Sequence, residues 1–301
     1  MNTERIEQQL SKSKEIYQEA VEKFEPDAII AMVSGGNDSA VAYHVAKEIG
    51  ADMSHIFHLN TGTGIQETTD FVRDYYGAEP PEYVEPSAGN AYEQYVKRKG
   101  FFGRGMIAHT YAYHILKAGP LKKAISKHIR KGKRGVKVLL LNGARASESG
   151  NRKINLPDVY NRDPSSKNNI WVNIIHHWTK EDCNKYLERR DIKINPVTKK
   201  MCRSGECMCG TMQSQEDRIE ASILYPEWGK WLDSLQEEVL KKFPWEWGKE
   251  QPDWYKQLAH GQMGLYGEHE EYEHQFQPMC VDCKINNNEK QAETIGEWRH
   301  T

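Results

Sequence analysis

Long apolar runs are missing from this 301-residue chain, and no stretch approaches the roughly 20 residues a bilayer-spanning helix needs. The opening MNTERIEQQLSKSKEIYQEAVEKF lacks the apolar core of a signal peptide. Net charge lacks a clear sign: 41 Lys and Arg stand against 43 Asp and Glu, leaving −2, which by itself names no partner. There is no internal repeat, no long low-complexity tract and no G-x-x-x-x-G-K-[ST] phosphate loop. These absences lead us to expect a soluble, cytoplasmic protein without a membrane partner, long enough to bury one large domain or two smaller ones. Six cysteines in such a compartment argue against a disulfide scaffold and towards metal or redox chemistry.

Ile6, Leu10, Tyr17, Val21 and Phe24 follow a helical repeat, so residues 1–26 read as an N-terminal helix. Apolar runs at Ala28 to Val33, 53–60, near Tyr83 and Val84, Val136 to Leu141 and 171–178 read as strands. Helical patterns lie between them; Val41, Val45 and Ile49 are spaced four apart, with Gly50 as a stop. Alternating strands and helices predict an α/β fold with a parallel sheet, helices on both faces and right-handed crossovers, over residues 27–200. In such sheets ligands bind beyond the carboxyl ends of the strands, where the polar loops 34–39, 61–67 and 143–152 should converge. Residues 201–301 change character: cysteines group, and Trp228, Trp231, Trp245, Trp247 and Trp254 crowd together. This region reads as mostly helical and wrapped onto the sheet domain.

The densest signal is Ser34-Gly35-Gly36-Asn37-Asp38-Ser39, between the first strand and a helix. Glycines allow a close backbone approach, successive amides can cup an anion, and the helix points its positive end at the same place. Ser34 and Ser39 offer hydroxyls, and Asp38 can cap the helix or hold magnesium. Two glycines and a cap would also suffice for an ordinary strand-to-helix turn; the strand context and the further polar loops that follow make phosphate binding the preferred reading.

Strand–SGGNDS–helix resembles the PP-loop of the adenine-nucleotide alpha hydrolases, in the branch of phosphoadenylyl-sulfate reductases and related ATP pyrophosphatases. HLNTGTGIQET resembles the family's second-strand loop, GFFGRGMIAHTYAYHILKAGPLKKAI its basic segment, NGARASESGNR its Gly-x-Arg loop, and IIHHWTKEDCNKYL the strand and helix that follow. NPVTKKMCRSGECMCG resembles the NP…RSG-C stretch of iron–sulfur members, so the likeness runs from about residue 27 to 215. It implies that Ser34, Gly35, Gly36, Asn37, Asp38 and Ser39 hold the anionic end of ATP or phosphoadenylyl sulfate. Thr61, Gly62 and Gly143 would line the nucleotide site, with Glu67 and Glu148 as candidates for metal or ribose contacts. Arg145 and Arg152 would grip anions as bidentate guanidinium groups, and Lys117 and Lys122 fall on the basic segment.

Cys202, Cys207 and Cys209, then Cys280 and Cys283 after a gap of 70 residues, make two groups suited to a soft metal. Zinc is the generic reading, and the resemblance favours a [4Fe–4S] cluster. Five thiols compete for four positions, with Cys207 best placed after RSG and Cys202 and Cys209 unranked. Cys183 reads as a packed core thiol. No cysteine follows Cys283, which argues against a reductase that attacks sulfur from a mobile tail. The resemblance to the ATP-pyrophosphatase branch implies instead cleavage of ATP to AMP and pyrophosphate, with Mg2+, to activate an acceptor for sulfur insertion. Relatives of this kind include the ATP pyrophosphatase of DNA phosphorothioation and tRNA-thiolating enzymes. A sulfur-donor protein such as a cysteine desulfurase is an implied partner, and a homo-oligomer is open. Two alternatives stand: a sulfonucleotide reductase releasing sulfite, and a non-catalytic nucleotide-sensing partner protein. The acid-free stretch 122–137 (Lys122, Lys123, Lys127, Arg130, Lys131, Lys133, Arg134, Lys137) is a candidate nucleic-acid track or a solvated surface.

Overall fold

A computed structural model describes residues 2–253 and 255, apart from 79, 149–158, 164 and 165. Helix α1 (Asn2–Phe24) is followed by β1 (Ala28–Met32), α2 (Asn37–Glu48), β2 (His55–Phe57), α3 (Gln66–Tyr76), β3 (Glu82–Val84) and α4 (Ala91–Lys99). Then α5 (Met106–Tyr113) runs through a π-helical turn (His114–Ala118) into α6 (Gly119–Ala124) and a second π-helical turn (Ile125–Arg130). After these come β4 (Val138–Asn142), β5 (Tyr160–Asp163), β6 (Ser166–Asn173), α7 (Lys180–Arg189), α8 (Pro196–Met201), α9 (Gln215–Leu224) and α10 (Pro226–Leu240).

The six strands form one sheet in the order β3-β2-β1-β4-β6-β5. Every pairing is parallel except β5 with β6, which is antiparallel. The fold is thus α/β with a mostly parallel sheet. The outermost strand β5 is the exception to the expected parallel arrangement. β6 also begins five residues before the expected start and ends at Asn173. Ile174 and Ile175, read as strand, are fully buried beyond its end.

Alternating strand residues divide the core. Ile29, Leu139, Leu141, Ile170 and Val172 face α1, α2 and α7, and Ala31, Val33 and Ile56 face Tyr43 of α2 and Val72 and Tyr76 of α3. Ile30, Met32, Phe57, Val138, Leu140 and Trp171 face the opposite way, onto Leu121, Ala124 and Ile125. Strands covered on both faces are apolar at consecutive positions, which is why β1 and β4 are uninterrupted runs. A further cluster packs α4, α5, α8, α9 and α10 around Phe101, Met208, Cys209, Trp228, Trp245 and Trp247. Among the described residues no helix is long and apolar enough to cross a membrane.

Candidate functional site

The loop after β1 leads into an uncapped helix start at the carboxyl edge of the sheet. Gly35 has φ +76°, and a Cβ there would meet Thr68 Cγ2 at 2.8 Å and Asn195 Nδ2 at 3.0 Å. Glycine is required twice over, by the backbone conformation and by the lack of space. Helix α2 starts at Asn37 with Gly36 as an extended N-cap that makes no side-chain cap bond. The amides of its first turn have no carbonyl one turn back, so they present the partial positive charge that anions seek. Both serine hydroxyls brace the loop: Ser34 Oγ lies 3.1 Å from Ser39 Oγ, and Ser39 Oγ donates to the Gly36 carbonyl at 2.9 Å. Ser39 Oγ also accepts from the Ser34 amide at 3.1 Å.

Beside it, the loop after β4 brings Arg145 to Asp38. Arg145 Nη2 donates to Asp38 Oδ2 at 2.9 Å, with the arginine side chain 5% and the aspartate side chain 23% exposed. Arg145 Nη1 also reaches Ser147 Oγ at 3.3 Å. Gly143 makes the approach possible, because a Cβ there would lie 2.5 Å from the Asp38 carbonyl oxygen. Cys183 is buried close by on α7; burial, then the Asp38 charge, push its thiol far up, so it is no nucleophile.

The loop after β2 is bound to the cysteine-bearing segment rather than open to it. Thr61 Oγ1 donates to the Glu206 carbonyl at 2.9 Å, the Ile65 amide to the Gly205 carbonyl at 2.8 Å, and the Met208 amide to Thr63 Oγ1 at 3.1 Å. Gly64 approaches so closely that a Cβ would lie 2.3 Å from the Glu206 carbonyl. Cys207 is half-buried with Thr63 Oγ1 at 4.0 Å, Cys209 is buried with Thr211 Oγ1 at 3.3 Å, and Cys202 is exposed at the left-handed end of α8. Lys117 does not face solvent: its Nζ pairs with Glu206 Oε2 at 2.7 Å, the two side chains 4% and 6% exposed. Both lie inside the same joint between the π-helical turn and the cysteine segment.

The structure thus brings Ser34, Gly35, Gly36, Asn37, Asp38, Ser39, Gly143 and Arg145 to one edge of the sheet. It brings Thr61, Gly62 and Lys117 to the neighbouring loops with Cys207 and Cys209. Glu67 is exposed on the first turn of α3, and Glu148 ends a short 3-10 turn. Arg152, Cys280 and Cys283 lie outside the described residues. Among the described residues no three His, Cys, Asp or Glu side chains group closely enough for a metal ion, so these residues alone make neither a zinc nor a cluster site. Sequence reasoning passed over Asn195, Thr198, Thr68 and Glu206, all buried against these loops. The Asn-Pro pair was a visible signal, since Asn before Pro marks a helix cap.

The basic stretch lies elsewhere. It leads into Val138, which pairs with Ala28 at the start of β1, so residues 131–137 stand at the amino edge of the sheet, opposite the loops after β1 and β4. Arg130 there is taken up by Asn169 Oδ1 at 2.7 Å and Ser166 Oγ at 3.1 Å, and Lys137 lies 3.7 Å from Glu25. Lys122, Lys123, Lys127, Lys131, Lys133 and Arg134 are exposed.

A mostly parallel α/β sheet with a glycine-bent strand–loop–helix at its carboxyl edge is the arrangement in which open α/β sheets place their ligand sites. The model of the phosphoadenosine phosphosulfate reductase domain matches residues 28–213. That is more than half of the chain, which therefore belongs to this family, a branch of the PP-loop superfamily. No curated protein matches it. Among solved structures, phosphoadenylyl-sulfate reductase from Candida auris, in a phosphate complex, is 17% identical with a TM-score of 0.43, over 65% of this chain and 90% of that one. NMN synthetase from Francisella tularensis is 14% identical with a TM-score of 0.44, over 88% and 98%. U34-tRNA thiolase NcsA from Methanococcus maripaludis, with its [4Fe-4S] cluster, is 13% identical with a TM-score of 0.36, over 88% and 82%. At these TM-scores the three likenesses carry no argument about what this chain does.

Proposed function

We propose that this PP-loop enzyme cleaves ATP between the α and β phosphates and uses the resulting adenylylated acceptor in sulfur transfer. The observation that carries this reading is the meeting of the 34–39 loop with the Asp38–Arg145 pair, 2.9 Å apart, at the carboxyl edge of the sheet. The first-turn amides of α2 would hold the phosphates, and Arg145 would offset charge as pyrophosphate departs. Asp38, partly exposed at the loop mouth, is the oxygen donor that magnesium accompanying ATP would use. The acceptor oxygen attacks the α phosphorus, the bond to the bridging oxygen breaks and pyrophosphate leaves; sulfur then displaces AMP.

A [4Fe–4S] cluster belongs to the same reading, with Cys207 and one of Cys202 and Cys209 on the segment fastened to the β2 loop, and Cys280 and Cys283 completing the set. No step is routed through it. A nucleic-acid acceptor would meet the exposed Lys131, Lys133 and Arg134 at the amino edge, away from the loop that would hold ATP. Those cations would anchor a long polyanion rather than guide its reacting group. Sulfonucleotide reduction is the second reading, favoured by the family that matches residues 28–213. It needs an attacking thiolate, a role that burial of Cys183 and Cys209 does not suit but that exposure leaves open to Cys202.

The test is pyrophosphate release from magnesium ATP by the full chain and by Asp38→Ala, with oxygen-18 water or acceptor to locate the cleaved bond. Label on AMP and none on pyrophosphate, with turnover lost in the variant, supports the reading. Label on phosphate, or unchanged turnover in Asp38→Ala, refutes it.

A further inference from the structure

The geometry points to Asn195 and Thr198, neither of them in the nucleotide loop, as positioning residues that aim the Gly36 amide at the bound anion. Both donate to one atom, the Gly35 carbonyl oxygen: Asn195 Nδ2 at 3.1 Å and Thr198 Oγ1 at 3.0 Å. A trans peptide is planar, with its carbonyl and its N–H pointing opposite ways. Holding the Gly35 carbonyl inward therefore turns the Gly36 N–H outward to the loop mouth. Its protein contact there is a long one, to Ser34 Oγ at 3.4 Å, which a phosphate oxygen can replace. Gly35 sits at φ +76°, so without its two tethers this peptide is among the easiest in the loop to rotate.

The tethers are themselves fixed. Asn195 is 2% exposed and caps α8, its Oδ1 accepting from the Val197 amide at 3.0 Å. Its Nδ2 also reaches Thr68 Oγ1 at 3.1 Å, and Thr68 in turn donates to the Ser204 carbonyl. One asparagine thus joins the nucleotide loop, the start of α3 and the cysteine segment. The Asn-Pro pair in the sequence gains a physical role here: the proline starts α8, and the asparagine amide is left free to grip Gly35.

This inference rests on the reading of loop 34–39 as an anion site, and the experiment separates the two. Thr198→Val removes the donor at nearly constant shape and Thr198→Ser keeps it. Asn195→Asp keeps the helix-capping acceptor and loses the donor to Gly35. The probes are inorganic pyrophosphate and magnesium α,β-methylene-ATP, measured by calorimetry alongside thermal unfolding. A net hydrogen bond lost at the loop predicts about a three- to tenfold weaker Kd for both probes in Thr198→Val. Thr198→Ser should match the wild type, and Asn195→Asp should weaken binding further while keeping α8 capped. Wild-type binding with unchanged Kd in Thr198→Val and Asn195→Asp overturns the positioning role alone. Failure of the wild type to bind either probe overturns the anion site, and this inference with it.

Discussion

Glu206→Gln tests the joint between the π-helical turn and the cysteine segment. Lys117 and Glu206 form an ion pair at 2.7 Å with almost no solvent on either side chain. Desolvating two charges costs several kcal/mol each, and mutual attraction offsets this only while both partners are present. Removing the carboxylate takes the 2.7 Å counter-charge from a buried ammonium in a joint formed by the π-helical turn, the β2 loop and the cysteine segment. The expected loss is about 3–5 kcal/mol, the range for breaking a buried pair from one side. In a chain of this size that lowers the melting temperature by the order of 5–10 °C. A paired replacement, Lys117→Met with Glu206→Leu, should recover most of the loss because no lone charge remains. Urea titration and thermal unfolding of the three proteins provide the assay. An unchanged midpoint in Glu206→Gln would show that Lys117 finds water or another anion, and the closed joint described above would be wrong. Activity in the stable double variant then separates a structural lysine from one that touches nucleotide.

Three further outcomes are expected. Burial, opposed by the bond to the Val33 carbonyl, pushes the His58 pKa down to about 4, against about 6.5 in an unfolded chain. Between these values the unfolded state binds the proton and the native state does not, so stability is present above about pH 6.5 and falls as pH drops towards 4. Between pH 7.5 and 5 His58 alone accounts for about 2 kcal/mol, and His58→Asn should flatten the pH dependence of the unfolding free energy from urea titration by that amount; an identical slope in both proteins would contradict it. Cys207→Ser should lose iron and its visible absorption on anaerobic purification, whereas full iron content would remove Cys207 from the ligand set. Lys131→Glu with Arg134→Glu should weaken nucleic-acid binding and reduce its salt dependence without altering ATP cleavage; binding that keeps its salt slope would take the amino edge out of the interaction.

The parts legible in the sequence share a physical cause. β1 and β4 are buried on both faces, so their apolar runs announce them, and the loop after β1 carries residues that ordinary turns do not need. β5 is different: Tyr160–Asp163 reads YNRD, with no apolar run, and is a strand because it pairs with β6 at the sheet edge. β6 opens with the polar residues SKNN at that same edge, which hid its first half. The apolar pair Ile174 and Ile175 extended it falsely, since burial continues where the ladder stops. Lys117 falls on the basic segment in the sequence, but its pairing with Glu206, 89 residues away, has nothing local to announce it. Gly143 was placed by motif, but its reason, the Asp38 carbonyl 2.5 Å from a would-be Cβ, needs the fold.

Product analysis on anaerobically purified protein tests the central claim most directly. The full chain is offered magnesium ATP in one reaction and phosphoadenylyl sulfate with a dithiol reductant in another. The account predicts AMP and pyrophosphate from ATP and no sulfite from the sulfonucleotide. Sulfite release with ATP left intact would contradict it and make the chain a reductase.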